Sequence, residues 1–92
     1  MILHITEACY LDSYRIEVVF NDGKKGVADL SEVLTGAVFE PLKNLDAFTK
    51  FYIDYTIIWQ NGADLAPEYI YFQAFKNEPE LQAQFVDWGY TK

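Results

Sequence analysis

TIIWQNGADLAPEYIY, residues 56–71, is the stretch whose reading decides the fold, because strand, turn and helix signals follow one another there in a fixed order. Thr56 to Trp59 is β-branched and aromatic, the composition of a buried strand. Asn61-Gly62 follows at once as a turn dipeptide: glycine takes φ > 0 without steric cost, and asparagine is among the few other residues that visit that region. Pro67 stands where a first helical position falls, its missing N–H no loss there, and Glu68 meets the electropositive end of the helix dipole. Asp64, just upstream, is expected to accept hydrogen bonds from the turn or from the first helical amides. Over Pro67–Phe75 a helix, with Ile70, Ala74, Tyr71 and Phe75 inward, competes with a strand, since YIYF is also β-prone; Pro67-Glu68 favours the helix.

Upstream, Ile2–Leu11 and Tyr14–Phe20 read as two strands joined by a turn at Asp12-Ser13. Tyr14, Ile16, Val18 and Phe20 alternate with Arg15, Glu17 and Asn21, the period-2 pattern of a strand with one face on the core; Val19 interrupts the polar side. Asn21-Asp22-Gly23 signals a hairpin, and Lys25–Leu30 supplies a third strand, so the N-terminal third is an antiparallel meander. Ser31 is expected to cap a short helical turn that stops before Gly36. Phe39, Pro41 and Leu42 read as a loop pinned by apolar anchors. Asn44 then caps a helix through Leu45, Phe48 and Tyr52, and Asp54-Tyr55 turns the chain into the Trp59 strand.

Downstream, Asn77-Glu78-Pro79-Glu80 offers a fresh cap with an acidic first turn, and Leu81, Phe85 and Trp88 recur at helical spacing, which predicts a last amphipathic helix of about three turns. The fold class expected is α+β: an antiparallel meander of three strands plus a further strand near Trp59, with two to three helices packed on one face. At 92 residues this is one domain, 1–92, with a modest buried fraction.

Hydrophobic residues at 51% and aromatics at 17% argue against disorder, while the net charge of −7 opposes attraction to phosphate backbones and so direct nucleic-acid binding. Cys9 is the single cysteine, which excludes an intramolecular disulfide or a cysteine zinc site. Neither a signal peptide nor an apolar run of membrane-spanning length is present, so a cytoplasmic location away from membranes is expected.

Trp59-Gln60-Asn61-Gly62-Ala63-Asp64-Leu65-Ala66-Pro67-Glu68 resembles the signature of a family of small, mostly bacterial proteins, the domain of unknown function 2442. Phe20-Asn21-Asp22-Gly23, the Asp29-Leu30 pair and Val38-Phe39-Glu40-Pro41-Leu42 are similar to the rest of that pattern, so the resemblance covers about Ile5 to Tyr71 and leaves 77–92 as a C-terminal helical extension. It implies a compact α+β domain, found alone or joined to a helix-turn-helix DNA-binding domain, and often encoded beside another small protein in toxin–antitoxin-like arrangements. It carries over no catalytic residues. The C-terminal extension is too short for a helix-turn-helix reader and acidic where such a reader is basic.

Two sets of residues are candidates for function. The first is a ligand or turn site of Trp59, Asn61, Gly62, Asp64 and Asp29, in which the two carboxylates lie at strand ends and could share a proton, or equally close turns. It predicts a concave pocket beside the turn and a carboxylate of raised pKa. The second is an interaction surface of Tyr69, Phe72, Glu78, Glu80, Asp87 and Trp88. It rests on acidity and on a surplus of tyrosine and tryptophan, residues favoured at interfaces because they bury a large area yet keep a polar tip. His4, the lone histidine, has no partner motif and reads as an ordinary strand residue. Without a phosphate-cradling glycine loop, a nucleophile elbow or metal-ligand spacing, no cofactor or metal is expected. The leading expectation is a non-catalytic protein-interaction module, the acidic partner of a second small protein, the adjacent gene product, in a toxin–antitoxin-like pair; pairing with another copy of the chain is a further expected partnership. The alternative is a small-molecule-binding or hydrolytic domain centred on the Trp59–Asp64 turn.

Overall fold

Alternation along the second expected strand sets the first layer. In the computed structural model, which describes residues 2–91, Ile16, Val18 and Phe20 are buried while their neighbours face outward, as period-2 geometry requires. Strands β1 (Ile5–Asp12), β2 (Arg15–Phe20) and β3 (Lys25–Asp29) form one antiparallel sheet in that order. The first turn sits one residue later than expected, with Ser13 at φ 44°. Asp12 stays in the strand and binds Arg15 through two hydrogen bonds of 2.8 and 2.7 Å. The second turn is the Asn21–Gly23 hairpin, Gly23 supplying φ 87°. Ile2–His4 lie outside β1 because Asn21 ties them down: its Oδ1 accepts from the His4 amide at 2.9 Å and its Nδ2 donates to the Ile2 carbonyl at 2.8 Å.

Asp29, not Ser31, organises the end of β3. Its Oδ1 accepts from the Ser31 amide at 3.0 Å, and the 3₁₀ turn Ser31–Val33 has no side-chain cap. Asn44 caps as expected, accepting from the Asp46 amide at 2.9 Å, but the helix it starts, α1 (Leu45–Phe48), is a single turn. Tyr52 is not on it. Phe51, Tyr52 and Ile53 are aromatic and β-branched, and form β4 (Phe51–Asp54), which turns at Tyr55 (φ 59°) and pairs antiparallel with β5 (Thr56–Trp59). The strand at Trp59 thus belongs to a second, two-stranded sheet. The two sheets are joined where the Ile5 amide donates to the Tyr55 carbonyl at 2.8 Å.

Helix α2 (Pro67–Phe75) resolves the helix-or-strand competition in favour of the helix, with Pro67 at its start and Pro67, Ile70, Tyr71 and Phe75 buried; Ala74 is half-buried. It packs on β3, where the missing side chain of Gly26 leaves room for the Phe75 ring: a Cβ there would stand 2.5 Å from Phe75 Cε1. The C-terminal helix is split into a 3₁₀ turn (Pro79–Leu81) and α3 (Gln82–Trp88), closed by Gly89 at φ 84°. Its Leu81 and Phe85 join the same core as Ile16, Trp59 and Ile70. The fold is α+β.

Candidate functional site

Helical spacing builds one of the grooves. Glu68 and Tyr71 are three apart on α2, Gln84 and Trp88 four apart on α3, so each pair projects from one helix face. Together with Asp22 in the β2–β3 hairpin and the Ile2-Leu3 segment they line a groove of about 410 Å³. The Tyr71 hydroxyl donates to Asp22 Oδ2 at 2.9 Å. Burial raises the Tyr71 phenol well above its usual range; the Asp22 hydrogen bond and the charges of Asp22, Glu78 and Glu80 push it further the same way. Tyr71 therefore stays a neutral donor in a field of carboxylates. Tyr90 is raised too, by burial and then by Glu68 and Tyr69. Glu80 is held below the usual carboxylate range by its own backbone amide, by Glu78 and by Lys24, whose Nζ lies 3.8 Å from Glu80 Oε1.

Two rings, Tyr71 and Trp88, line the groove, and further aromatic rings pack around them. Trp88 packs on Tyr71 at 6.0 Å and on Tyr90 at 6.2 Å between ring centroids, and Phe72 packs on Phe85 at 5.0 Å and on Tyr90 at 5.3 Å. Tyr69 meets Tyr90 at 5.5 Å, and its hydroxyl accepts from Gln73 at 3.0 Å. Of the expected interaction surface, Tyr69, Phe72 and Trp88 are thus half-buried against other rings rather than fully presented. Glu78 and Glu80 act on Tyr71, whereas Asp87 is exposed and does not line the groove. Sequence reasoning missed Asp22, Glu68 and Tyr71 as one group. The helical spacing of Glu68 and Tyr71 was a signal for their shared face; nothing local could place Asp22, 49 residues from Tyr71, beside them.

The turn site is more committed to structure. Trp59 is buried and its Nε1 donates to the Phe48 carbonyl at 2.8 Å. Asn61 donates to the Val38 carbonyl at 2.8 Å and accepts from the Ala63 amide at 3.1 Å, while Gly62 takes φ 87°. The buried Thr56 hydroxyl fastens the segment beyond by donating to the Leu65 carbonyl at 2.6 Å. Asp64 does not cap α2, whose N-cap is Ala66 without a side-chain bond; it is exposed, and its backbone bridges to Ile58. Beside it lies a shallow groove of about 500 Å³ that also touches Glu32, Phe39 and Tyr69. Asp29 is not part of that groove, and its carboxyl is lowered rather than raised, first by the Ser31 amide and hydroxyl, then by Lys76 and Arg15. The structure leaves the two carboxylates in separate surroundings. Among the described residues no group of three or more His, Cys, Asp or Glu side chains is placed to hold a metal ion, and no helix is long and apolar enough to cross a membrane.

The family model described as "Protein of unknown function (DUF2442)" matches residues 5–76, from β1 to one residue past α2, and the chain belongs to that family. No curated protein and no solved structure matches it. The matched segment holds β1 to β5, α1 and α2, and α3 lies outside it.

Proposed function

We propose that this member of the family is a non-catalytic protein-interaction module that receives a basic segment of another small protein in the groove between the β2–β3 hairpin, α2 and α3. One observation carries the reading: Asp22 and Glu68 line a groove whose wall is Tyr71 and Trp88, with Glu78 and Glu80 acting on the same Tyr71. Carboxylates beside an aromatic face suit a lysine or arginine side chain, which gains charge-assisted hydrogen bonds and the attraction of the ring quadrupole together. The net charge of −7 speeds encounter with a basic partner and works against nucleic acid. The family's frequent pairing with a second small protein makes the product of the adjacent gene the first partner to try, as the basic half of a toxin–antitoxin-like pair in the cytoplasm.

The test is titration of the chain with that gene product, followed by Trp88 fluorescence and calorimetry. Wild type is expected to bind with an affinity that falls as salt rises. Asp22→Asn with Glu68→Gln, and separately Glu78→Lys with Glu80→Lys and Asp87→Lys, are each expected to weaken it by about 10-fold or more and to flatten the salt dependence. Unchanged affinity in both variants rejects the acidic groove, and absence of any complex rejects the partner.

A second reading, a small-molecule or hydrolytic site at the Trp59–Asp64 turn, rests on the groove beside Asp64. It has less support, because Trp59 is buried with its Nε1 on the Phe48 carbonyl, Asn61 uses both ends of its amide on backbone partners, and Asp29 lies outside that groove. A ligand screen by chemical-shift change would favour it only if the shifts centre on Asp64, Phe39 and Tyr69.

A further inference from the structure

β4 is an edge strand built for company. It pairs with β5 on one side only; β1 meets the hairpin at its tip, where the Ile5 amide reaches the Tyr55 carbonyl, and the side chains of Tyr52 (56% exposed) and Ile53 (36%) on the strand and of Tyr55 (56%) at the turn face solvent. Edge strands with exposed aromatic and branched residues are templates for another strand unless bulges or charge blunt them. β1, at the edge of the larger sheet, is blunted in that way: its register shifts between Ile5 and Glu7 and again between Tyr10 and Asp12. β4 runs in unbroken register from Phe51 opposite Trp59 to Asp54 opposite Thr56.

The direction of its free hydrogen-bonding groups follows from the far side of β5. There the Trp59 amide donates to the Ala63 carbonyl at 2.9 Å, so it points away from β4. Opposed residues in an antiparallel pair alternate between hydrogen-bonded and non-bonded, so Phe51 and Ile53 aim their N–H and C=O groups outward while Tyr52 and Asp54 aim theirs at β5. Among the described residues those outward groups have no other partner.

We infer that β4 pairs edge to edge with β4 of a second copy of this chain, antiparallel about a two-fold axis through Tyr52. Outward groups must meet outward groups, which restricts the axis to Phe51, Tyr52 or Ile53. Charge selects among them. An axis at Tyr52 sets Lys50 of each copy opposite Asp54 of the other, and neither residue takes part in an ion pair among the described residues. The other two axes set one of these charges opposite Tyr52 instead. With the axis at Tyr52, Phe51 and Ile53 exchange four backbone hydrogen bonds across the interface, and the two Tyr52 residues form a close, non-bonded pair at a Cα separation of about 4.5 Å. The acidic groove uses other elements and stays open in such a dimer.

Sedimentation equilibrium of the full chain over a range of concentrations tests this. A reversible dimer is expected. Lys50→Asp and Asp54→Lys each turn two attractive pairs into two repulsive ones and should weaken it on the order of 10-fold, while the double variant, with the charges swapped, should recover it. Tyr52→Cys in a Cys9→Ser background should cross-link across the axis under mild oxidation, since that spacing suits a disulfide. A monomer at every concentration, a dimer indifferent to the charge reversals, or no cross-link would each overturn the proposal.

Discussion

Tyr71 on α2 donates its hydroxyl to Asp22 in the β2–β3 hairpin at 2.9 Å, joining two points 49 residues apart. The bond fixes the lip of the acidic groove, and it ties the position of the hairpin to that of the helix. Because the ring is 3% exposed and carboxylates surround the hydroxyl, forming a phenolate there costs more than in water.

That cost makes stability depend on pH at the alkaline end. The folded value is raised above the ordinary 10.0, so the contribution is fully present below about pH 10 and is lost as pH rises, while the unfolded chain releases the proton and the folded chain keeps it. Tyr71→Phe is expected to be less stable near neutrality by about 1–2 kcal/mol, through the lost bond to a charged acceptor. It is also expected to show a shallower decline above about pH 10. Urea unfolding of both proteins across that range checks the two effects, and parallel alkaline declines would contradict the second.

Gly26 faces Phe75, and the contact leaves no room for a methyl group. Gly26→Ala should destabilise by about 1–3 kcal/mol through overpacking, because the Phe75 ring is itself held by Phe20 and Tyr71. Combining it with Phe75→Leu should cost less than the sum of the two single changes. Additive losses in thermal unfolding would show that the ring is not what the methyl group meets.

The helix at Pro67 and the hairpin at Gly23 were legible because their signals are local: a proline at a first turn, a glycine where φ must be positive. The fate of Tyr52 was not. Leu45, Phe48 and Tyr52 share a helix face, and the strand won because Phe51 to Ile53 can pair with Ile57 to Trp59, a partnership the periodicity of one segment does not reveal. Asp64 misled for a related reason. It is a good capping residue by type, but it lies two residues before Ala66, the N-cap of α2, and its backbone is used in a bridge to Ile58. The aromatic surplus was visible in composition, while its stacking of Tyr69, Phe72 and Trp88 on α2 and α3 depends on how two helices meet.

Asn61 uses both ends of its amide, and graded substitution separates them. Asn61→Asp keeps an oxygen for the Ala63 amide and loses the donor to Val38; Asn61→Ala loses both. The expected order of stability is wild type, then Asp, then Ala, with each lost bond worth about 0.5–1.5 kcal/mol. Equal losses in the two variants, read by thermal unfolding, would mean that the bond to Val38 alone matters.

Asp29 offers the matching test at the acid end. Its folded value is lowered below the ordinary 3.8, chiefly by the Ser31 amide, so its contribution is present above that value and is lost as pH falls through the folded one. Asp29→Asn retains an oxygen that can accept from Ser31 and is expected to cost little at neutral pH, whereas Asp29→Ala frees the amide and costs more. Acidification should close the gap between wild type and Asp29→Asn, because the protonated carboxyl and the amide are then both neutral acceptors. A carboxylate in this position is charged throughout the neutral range and committed to a turn, which suits a structural role and leaves it without a proton to donate. A gap between wild type and Asp29→Asn that widens below about pH 4 would reverse that assignment.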